Sequence, residues 1–299
     1  MKAKLENLTY RGQGTLEKIP CPLCRADQFK ILLVERELPI VRCEKCSLVF
    51  VNPRPSREGL LEFYKDYFPP ESESLWQEQM AAVFLKEGLE KIKRYQAEGL
   101  LHLKETPAVL DIGCGMGCFL DLMRAQGWKT FGVEPSPSAA RHAKEKLHLN
   151  VFEGMLEEAE LESQWDVVTL WYVLEHVPHP DQILDRVSRL LRPGGLIIIR
   201  APNQNAGIDL ILNKLGLKNF FLINPPRHLF DYSPKTLSRF LEERGLEVLE
   251  IRNSIPRATG TWLELARRRL WYRTFQALYS LSGGKWIRGS SITVYARKK

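Results

Sequence analysis

One run, AVLDIGCGMG over residues 108 to 117, limits the folds open to this chain more than any other. Five mostly apolar residues are the length of a buried parallel strand, and they lead directly into glycines at 113, 115 and 117. The helical stretch CFLDLMRAQG follows at once and stops at Gly127. Strand, glycine turn and helix in that order open an α/β fold. The pattern then repeats. WKTFGVE reads as a strand, and SPSAARHAKEKL as a helix with Ser136 as N-cap and Pro137 in the first helical position. WDVVTLWYV, HPDQILDRVSRLLRPGG, LIIIRAPN, SPKTLSRFLEERG, LEVLEIRN and SSITVYARK continue the alternation. Such a series predicts a doubly wound α/β sheet with helices on both faces.

The glycine turn also bears on the ligand. The dinucleotide fingerprint G-x-G-x-x-G needs glycine at position 118, where this chain has Cys118, so NAD is disfavoured. What remains is an acidic residue before G-x-G-x-G, Glu134 closing the next strand, Leu-Arg-Pro-Gly-Gly at 191 to 195, and WDVVTLWYVLEHV. Together these resemble the class I S-adenosylmethionine-dependent methyltransferases over roughly residues 107 to 252. The resemblance implies a seven-stranded Rossmann-like sheet and S-adenosylmethionine as cofactor. It implies that Gly113, Gly115 and Gly117 clear space for the methionyl part, where only glycine tolerates the backbone angles. Asp111 would meet the cationic amino acid end, Glu134 the two ribose hydroxyls, and Leu156 with Glu157 the border of the adenine.

Methyl transfer from a sulfonium is an in-line displacement, so a site must align the nucleophile, desolvate it and in some cases remove its proton. Histidine suits the last task near neutral pH. Glu175-His176 follows the fourth strand, at the sheet edge where an open α/β fold carries its site. Related quinone O-methyltransferases have an acid-x-x-Glu-His metal set there. Here Tyr172 takes the place of the first acid, which argues against a catalytic metal. His228 is the second candidate. It closes the apolar insertion 204 to 232, a prospective lid, and lies in a His-Leu-x-x-(Phe or Tyr)-Ser-Pro run similar to that of many bacterial relatives. Within the same insertion Asn224-Pro-Pro copies three letters of the NPPY signature of amino-methylating enzymes. It follows the fifth strand rather than the fourth, and Arg227 stands where an aromatic is needed, so the likeness is accidental.

Four of the six cysteines fall as Cys21-x-x-Cys24 and Cys43-x-x-Cys46 with 18 residues between the pairs, a zinc-site spacing. Four protein ligands leave no open position, so the ion is expected to hold the fold rather than do chemistry. Arg25 and Ser47 occupy the positions after the second cysteines where many ribbons have glycine. Cys114 and Cys118 read as small packing residues. The ribbon with LVFVNPRPS and FYKDYF is similar to zinc-ribbon methyltransferases, including those acting on nucleotide-linked sugars, which implies Tyr64 and Tyr67 as pocket residues. The expected division is a zinc ribbon over 1 to 55, a helical connector over 56 to 105 and a methyltransferase core over 106 to 299.

The net charge of +7 is local: residues 255 to 299 carry +9, so the rest sums to about −2. Much of it lies in an insertion between the sixth and seventh strands, about 255 to 289, rich in Trp, Tyr and Arg. This could contact a membrane surface, an anionic substrate or RNA. Arg267, Arg268, Arg269 and Arg273 scatter around a helical axis, which lacks the clean two-faced arrangement of a surface-lying helix. The start of the chain has no signal-peptide pattern and no apolar run reaches the roughly 18 residues of a membrane span, so a cytoplasmic location is expected, with membrane association left open. The reading is a methyltransferase for a small, sugar or lipid-linked acceptor, with O- or N-methylation favoured over C-methylation. An RNA methyltransferase and a non-enzymatic zinc-ribbon binding module are the alternatives.

Overall fold

Among the described residues three sheets form, two of them small. The computed structural model describes residues 15–60, 71–162, 164–204, 223, 225–255, 262–283 and 286–299. At the amino end β1 (Leu16–Glu17) pairs antiparallel with β5 (Arg54–Pro55), enclosing the meander of β2 (Phe29–Glu35), β3 (Leu38–Cys43) and β4 (Val49–Val51). The two C-x-x-C turns are built alike. The amide of Arg25 donates to the carbonyl of Cys21 at 2.8 Å, and that of Ser47 to Cys43 at 2.9 Å. Both residues adopt a left-handed backbone, φ 58° and 66°, which explains why a glycine is usual at these two positions.

After Ser56, whose hydroxyl accepts from the amide of Gly59, a helical turn begins. The long helix α1 (Glu71–Ala97) then crosses the sheet face and presents Met80, Ala81, Phe84, Ile92 and Tyr95 to the core.

The alternation from residue 108 folds as expected. β6 (Ala108–Ile112), α2 (Cys118–Ala125), β7 (Lys129–Glu134), α3 (Pro137–Glu145), β8 (Val151–Glu153), β9 (Trp165–Trp171), α4 (Pro180–Leu190) and β10 (Leu191–Pro202) succeed one another. After β11 (Phe230–Asp231) come α5 (Pro234–Glu242), β12 (Leu246–Asn253), α6 (Trp262–Leu281) and β13 (Ser291–Lys298). The seven-stranded sheet runs β12-β13-β10-β9-β6-β7-β8. β13 is antiparallel to both of its neighbours, and the other pairs are parallel. Helix starts follow the sequence signals: the hydroxyls of Ser136 and Ser233 accept from Ala139 and Thr236 amides, each before a proline.

Alternate strand residues divide between two cores. Val109, Val167, Leu196 and Ile198 face α1, α2 and α3, whereas Leu110, Val168, Ile197 and Ile199 face α4, α5 and the ribbon. Each such fully buried side chain contributes about 1.5–3 kcal/mol relative to its exposed state. The second core is continuous with the ribbon: Leu38, Ile40, Leu48 and Phe50 belong to it. β11 completes the join by adding to the ribbon meander next to β4, with Phe230 opposite Phe50 and their rings 6.0 Å apart. Among the described residues no helix is long and apolar enough to cross a membrane.

Candidate active site

Strand order reverses direction between β6 and β9, and in open α/β sheets that switch point at the carboxyl edge forms a crevice. The glycine turn after β6 lies there. Gly113 has φ 66°, and a Cβ on it would stand 2.6 Å from Val173 Cγ2; one on Gly117 would stand 3.0 Å from Ala143 Cβ. Both places exclude a side chain. Asp111, buried beneath the turn, accepts from Thr169 Oγ1 at 2.6 Å. Burial pushes its carboxyl up to about 8. Glu134 is buried at the end of β7, where its two oxygens accept from the amides of Gly115 at 2.8 Å and Ser136 at 2.9 Å. Burial outweighs those bonds and raises it to about 7. No ion pair to a cationic side chain occurs at either acid among the described residues. A ligand carrying positive charge fits this pair of buried acids, and the turn leaves it backbone room.

A cavity of about 630 Å³ extends from these groups. One end is walled by Asp111, Gly113, Gly115, Glu134 and Ser136, with Gly154 to Glu157 beside them. Glu157 is exposed on the 3-10 turn Leu156–Glu158, while Leu156 is buried. The other end is lined by Phe84, Trp171, Tyr172, Glu175, His176, Pro202 and His228. An apolar chamber with a few convergent polar groups is the usual form of a small-molecule site.

The two histidines singled out in the sequence meet here. Their ring centroids are 4.7 Å apart at 72°. His176 Nδ1 lies 2.6 Å from the carbonyl oxygen of Arg227, so this nitrogen carries the proton and Nε2 keeps its lone pair. Burial, then the neighbouring His228, lower His176 to about 3. Glu175 joins them. It is fully buried, neither carboxylate oxygen has a hydrogen-bond partner among the described residues, and burial raises it to about 8. One ligand atom from each of Glu175, His176 and His228 lies within 4.8 Å of the others, a grouping able to hold a metal ion. Tyr172, in the place of the missing acid, has a left-handed φ of 59°. Its hydroxyl accepts from Arg200 Nε at 3.0 Å and lies 2.8 Å from Ser291 Oγ.

Sequence reasoning missed two contributors from α1. Gln77 Oε1 accepts from the amide of Met116 at 3.0 Å, over the glycine turn, and Phe84 stacks on Trp171 with centroids 4.4 Å apart. An apolar residue on a helix can face a core or a cavity alike, and sequence alone does not distinguish the two. Tyr64, Tyr67 and most of the prospective lid, residues 205–222 and 224, lie outside the described residues.

At the ribbon, Cys21 Sγ and Cys46 Sγ are 3.4 Å apart, Cys24 Sγ and Cys43 Sγ 3.5 Å, and all four sulfurs lie within 4.8 Å of one another without a disulfide. A zinc–thiolate tetrahedron with bonds of about 2.3 Å has edges of about 3.8 Å, so the set fits that ion.

A family model described as a methyltransferase domain matches residues 77–251. Ubiquinone biosynthesis O-methyltransferases of Thiobacillus denitrificans and Cupriavidus pinatubonensis are 34% and 32% identical to this chain over 157 and 155 residues. The matches cover 48% of this chain and 66% and 61% of those proteins, just under two thirds of their length. The solved phosphoethanolamine N-methyltransferase 2 of Haemonchus contortus, in complex with S-adenosyl-L-methionine, superposes with a TM-score of 0.55 at 19% identity, over 84% of this chain and 62% of that one. That likeness concerns the fold alone.

Proposed function

Because this chain belongs to the class I S-adenosylmethionine-dependent methyltransferases, we propose that it transfers a methyl group to a small-molecule, sugar or lipid-linked acceptor, with an oxygen favoured as the receiving atom. The observation that carries this reading is the single cavity joining the Asp111 and Glu134 end to the Glu175, His176 and His228 end. Bound S-adenosylmethionine would supply an electrophilic methyl group on a sulfonium. Asp111 and Glu134 would hold it by charge and by hydrogen bonds to its hydroxyls, Gly113 to Gly117 would clear space beside it, and Glu157 would border it. His176 and His228 face the acceptor, and one of them takes the proton of its hydroxyl. Phe84 and Trp171 exclude water from the same space. The O-methyltransferase names of the 34% and 32% identical relatives support oxygen as the target. In this reading residues 1–55 are a ribbon held by zinc on Cys21, Cys24, Cys43 and Cys46, 56–105 a connector and 106–299 the core.

The test is methyl transfer from labelled cofactor to a panel of phenols, catechols, nucleotide sugars and lipid-linked glycans, with total RNA as a separate arm. O-methylated small product is the expected result. Label confined to RNA would overturn the reading, and so would loss of neither turnover nor binding in the His176→Ala, His228→Ala double variant.

A second reading concerns the same histidines. The grouping of Glu175, His176 and His228, with both Glu175 oxygens unpartnered among the described residues, supports a divalent cation there that would lower the pKa of an acceptor hydroxyl. The His176 proton on the Arg227 carbonyl is the orientation a ligating imidazole requires. Manganese titration by calorimetry separates the readings: binding lost in Glu175→Gln favours the cation, and no binding leaves the histidines as bases.

A further inference from the structure

Among the described residues five large hydrophobic side chains are exposed, and four of them fall between residues 270 and 286: Leu270 at 68%, Trp271 at 40%, Leu281 at 85% and Trp286 at 55%. Their arrangement is directional. Positions 270, 274, 277 and 281 of α6 line up along one side of a helix, and Leu270, Thr274, Ala277 and Leu281 are all exposed. The stripe spans about 16 Å. Exposed Arg269 and Arg273 run along one edge of it and Trp271 stands on the other. On the opposite side Tyr272, Phe275, Gln276 and Tyr279 are half-buried. The helix is therefore two-faced in apolar exposure even though its four arginines do not cluster.

A solvent-facing side normally carries charge at its centre and apolar residues at its margins; here the order is reversed. We propose that this outer face of α6, with Trp286 beyond its end, docks on an anionic phospholipid surface. The charge selects the occupant: the helix contains four arginines and one acid, Glu264, and residues 255 to 289 hold seven Lys or Arg against that one acid. Leucine and tryptophan enter the acyl boundary while arginines meet lipid phosphates. Nucleic acid would need cations rather than Leu270 and Leu281 at the centre of the face. A second copy packed through the same stripe would set like charges against like.

Position gives the docking a consequence. Asn253, at the carboxyl end of β12, donates from Nδ2 to the carbonyl of Phe275 at 3.2 Å and accepts from the amide of Gly289 at 2.8 Å. Asn203 Nδ2 donates to the carbonyl of Gly289 at 2.8 Å, one residue beyond Pro202 of the cavity wall. The face is thus fastened to the sheet edge where the cavity lies, and a docked molecule holds that cavity near the lipid surface. The proposal concerns the surface and is independent of which acceptor is methylated.

Co-sedimentation of the full chain with vesicles of equimolar phosphatidylglycerol and phosphatidylcholine, against phosphatidylcholine alone, tests it. Binding is expected to the anionic vesicles only and to weaken with salt. Arg269→Ala with Arg273→Ala should lower partitioning about 25-fold, at roughly fivefold per arginine, and Leu270→Glu with Leu281→Glu should abolish it. Unchanged S-adenosylmethionine affinity certifies that each variant is folded. Equal pelleting by wild type and variants overturns the proposal, as does no binding to anionic vesicles at low salt. A dimer in sedimentation velocity that the leucine variant dissociates, without vesicle binding, assigns the face to a second copy instead. RNA binding lost in the arginine variant, again without vesicle binding, assigns it to nucleic acid.

Discussion

Asp111 and Glu134 are held near the threshold of ionisation in the ligand-free protein, at about 8 and about 7, because burial opposes their charge more than Thr169 or the backbone amides favour it. Both values stand above the ordinary carboxylate range. The native state therefore keeps protons that the unfolded chain has already shed, and stability falls as pH rises from about 5 through about 8. Melting curves of the apo protein should drop by several degrees across that window, and the drop should shrink in Asp111→Asn, whose amide oxygen still accepts from Thr169. A cationic ligand reverses the balance by favouring both charges. Glu134→Ala should weaken S-adenosylmethionine about 10–100-fold by calorimetry, the loss of a charge-assisted pair of hydroxyl bonds. These two acids and the glycines were legible in the sequence because each is fixed by its distance from a strand end. The burial of Glu175 was not, since it arises from segments remote in the chain: its carbonyl takes the amides of Leu229 and Phe230.

At the scale of elements, the ribbon grips the loop that carries Glu175 and His176. Arg54, fully buried, donates to Glu17 Oε1 at 2.8 Å and to the carbonyl of Pro178, and lies 3.4 Å from His179 Nδ1. Arg25 pairs with Asp181 at 2.7 Å. β11, two residues after His228, is a ribbon strand in all but sequence position. Cysteine spacing pointed to the four-cysteine cluster, but a two-residue strand has no periodicity to read, so this joint was invisible before folding. Arg54→Gln should lower kcat about tenfold or more with a smaller effect on S-adenosylmethionine affinity, because the loop that Arg54 holds at Pro178 carries Glu175 and His176. Its stability cost should be about 1–3 kcal/mol for the unpaired buried acceptors. Ser47→Gly should act oppositely, adding about 1 kcal/mol by relieving a left-handed residue that has no glycine, measured as a shift in the denaturant midpoint.

For the whole molecule, the decisive feature is that one hydrophobic core contains both ribbon and sheet residues, from Leu38 and Phe50 to Ile199 and Phe240. A ribbon hung on a linker would melt by itself when its metal left. Here its strands bury apolar surface that the α/β core also needs, and its meander contains a strand from the core, so the two share their stabilisation. A metal ion held by the four cysteines in the folded chain would turn its binding energy into folding energy. About one zinc per chain is therefore expected from metal analysis of the purified protein. Withdrawal of zinc by a chelator with thiol-specific detection should lower the main calorimetric transition as a single event. Methyl transfer should decline before S-adenosylmethionine binding does, because the segments carrying Glu175, His176 and His228 are held by Arg54 and by the pairing of β11 with β4. Two separate transitions, with the larger one unmoved by zinc removal, would contradict the shared core and make the ribbon an independent module; one shifted transition with acceptor turnover lost first is the outcome the packing demands.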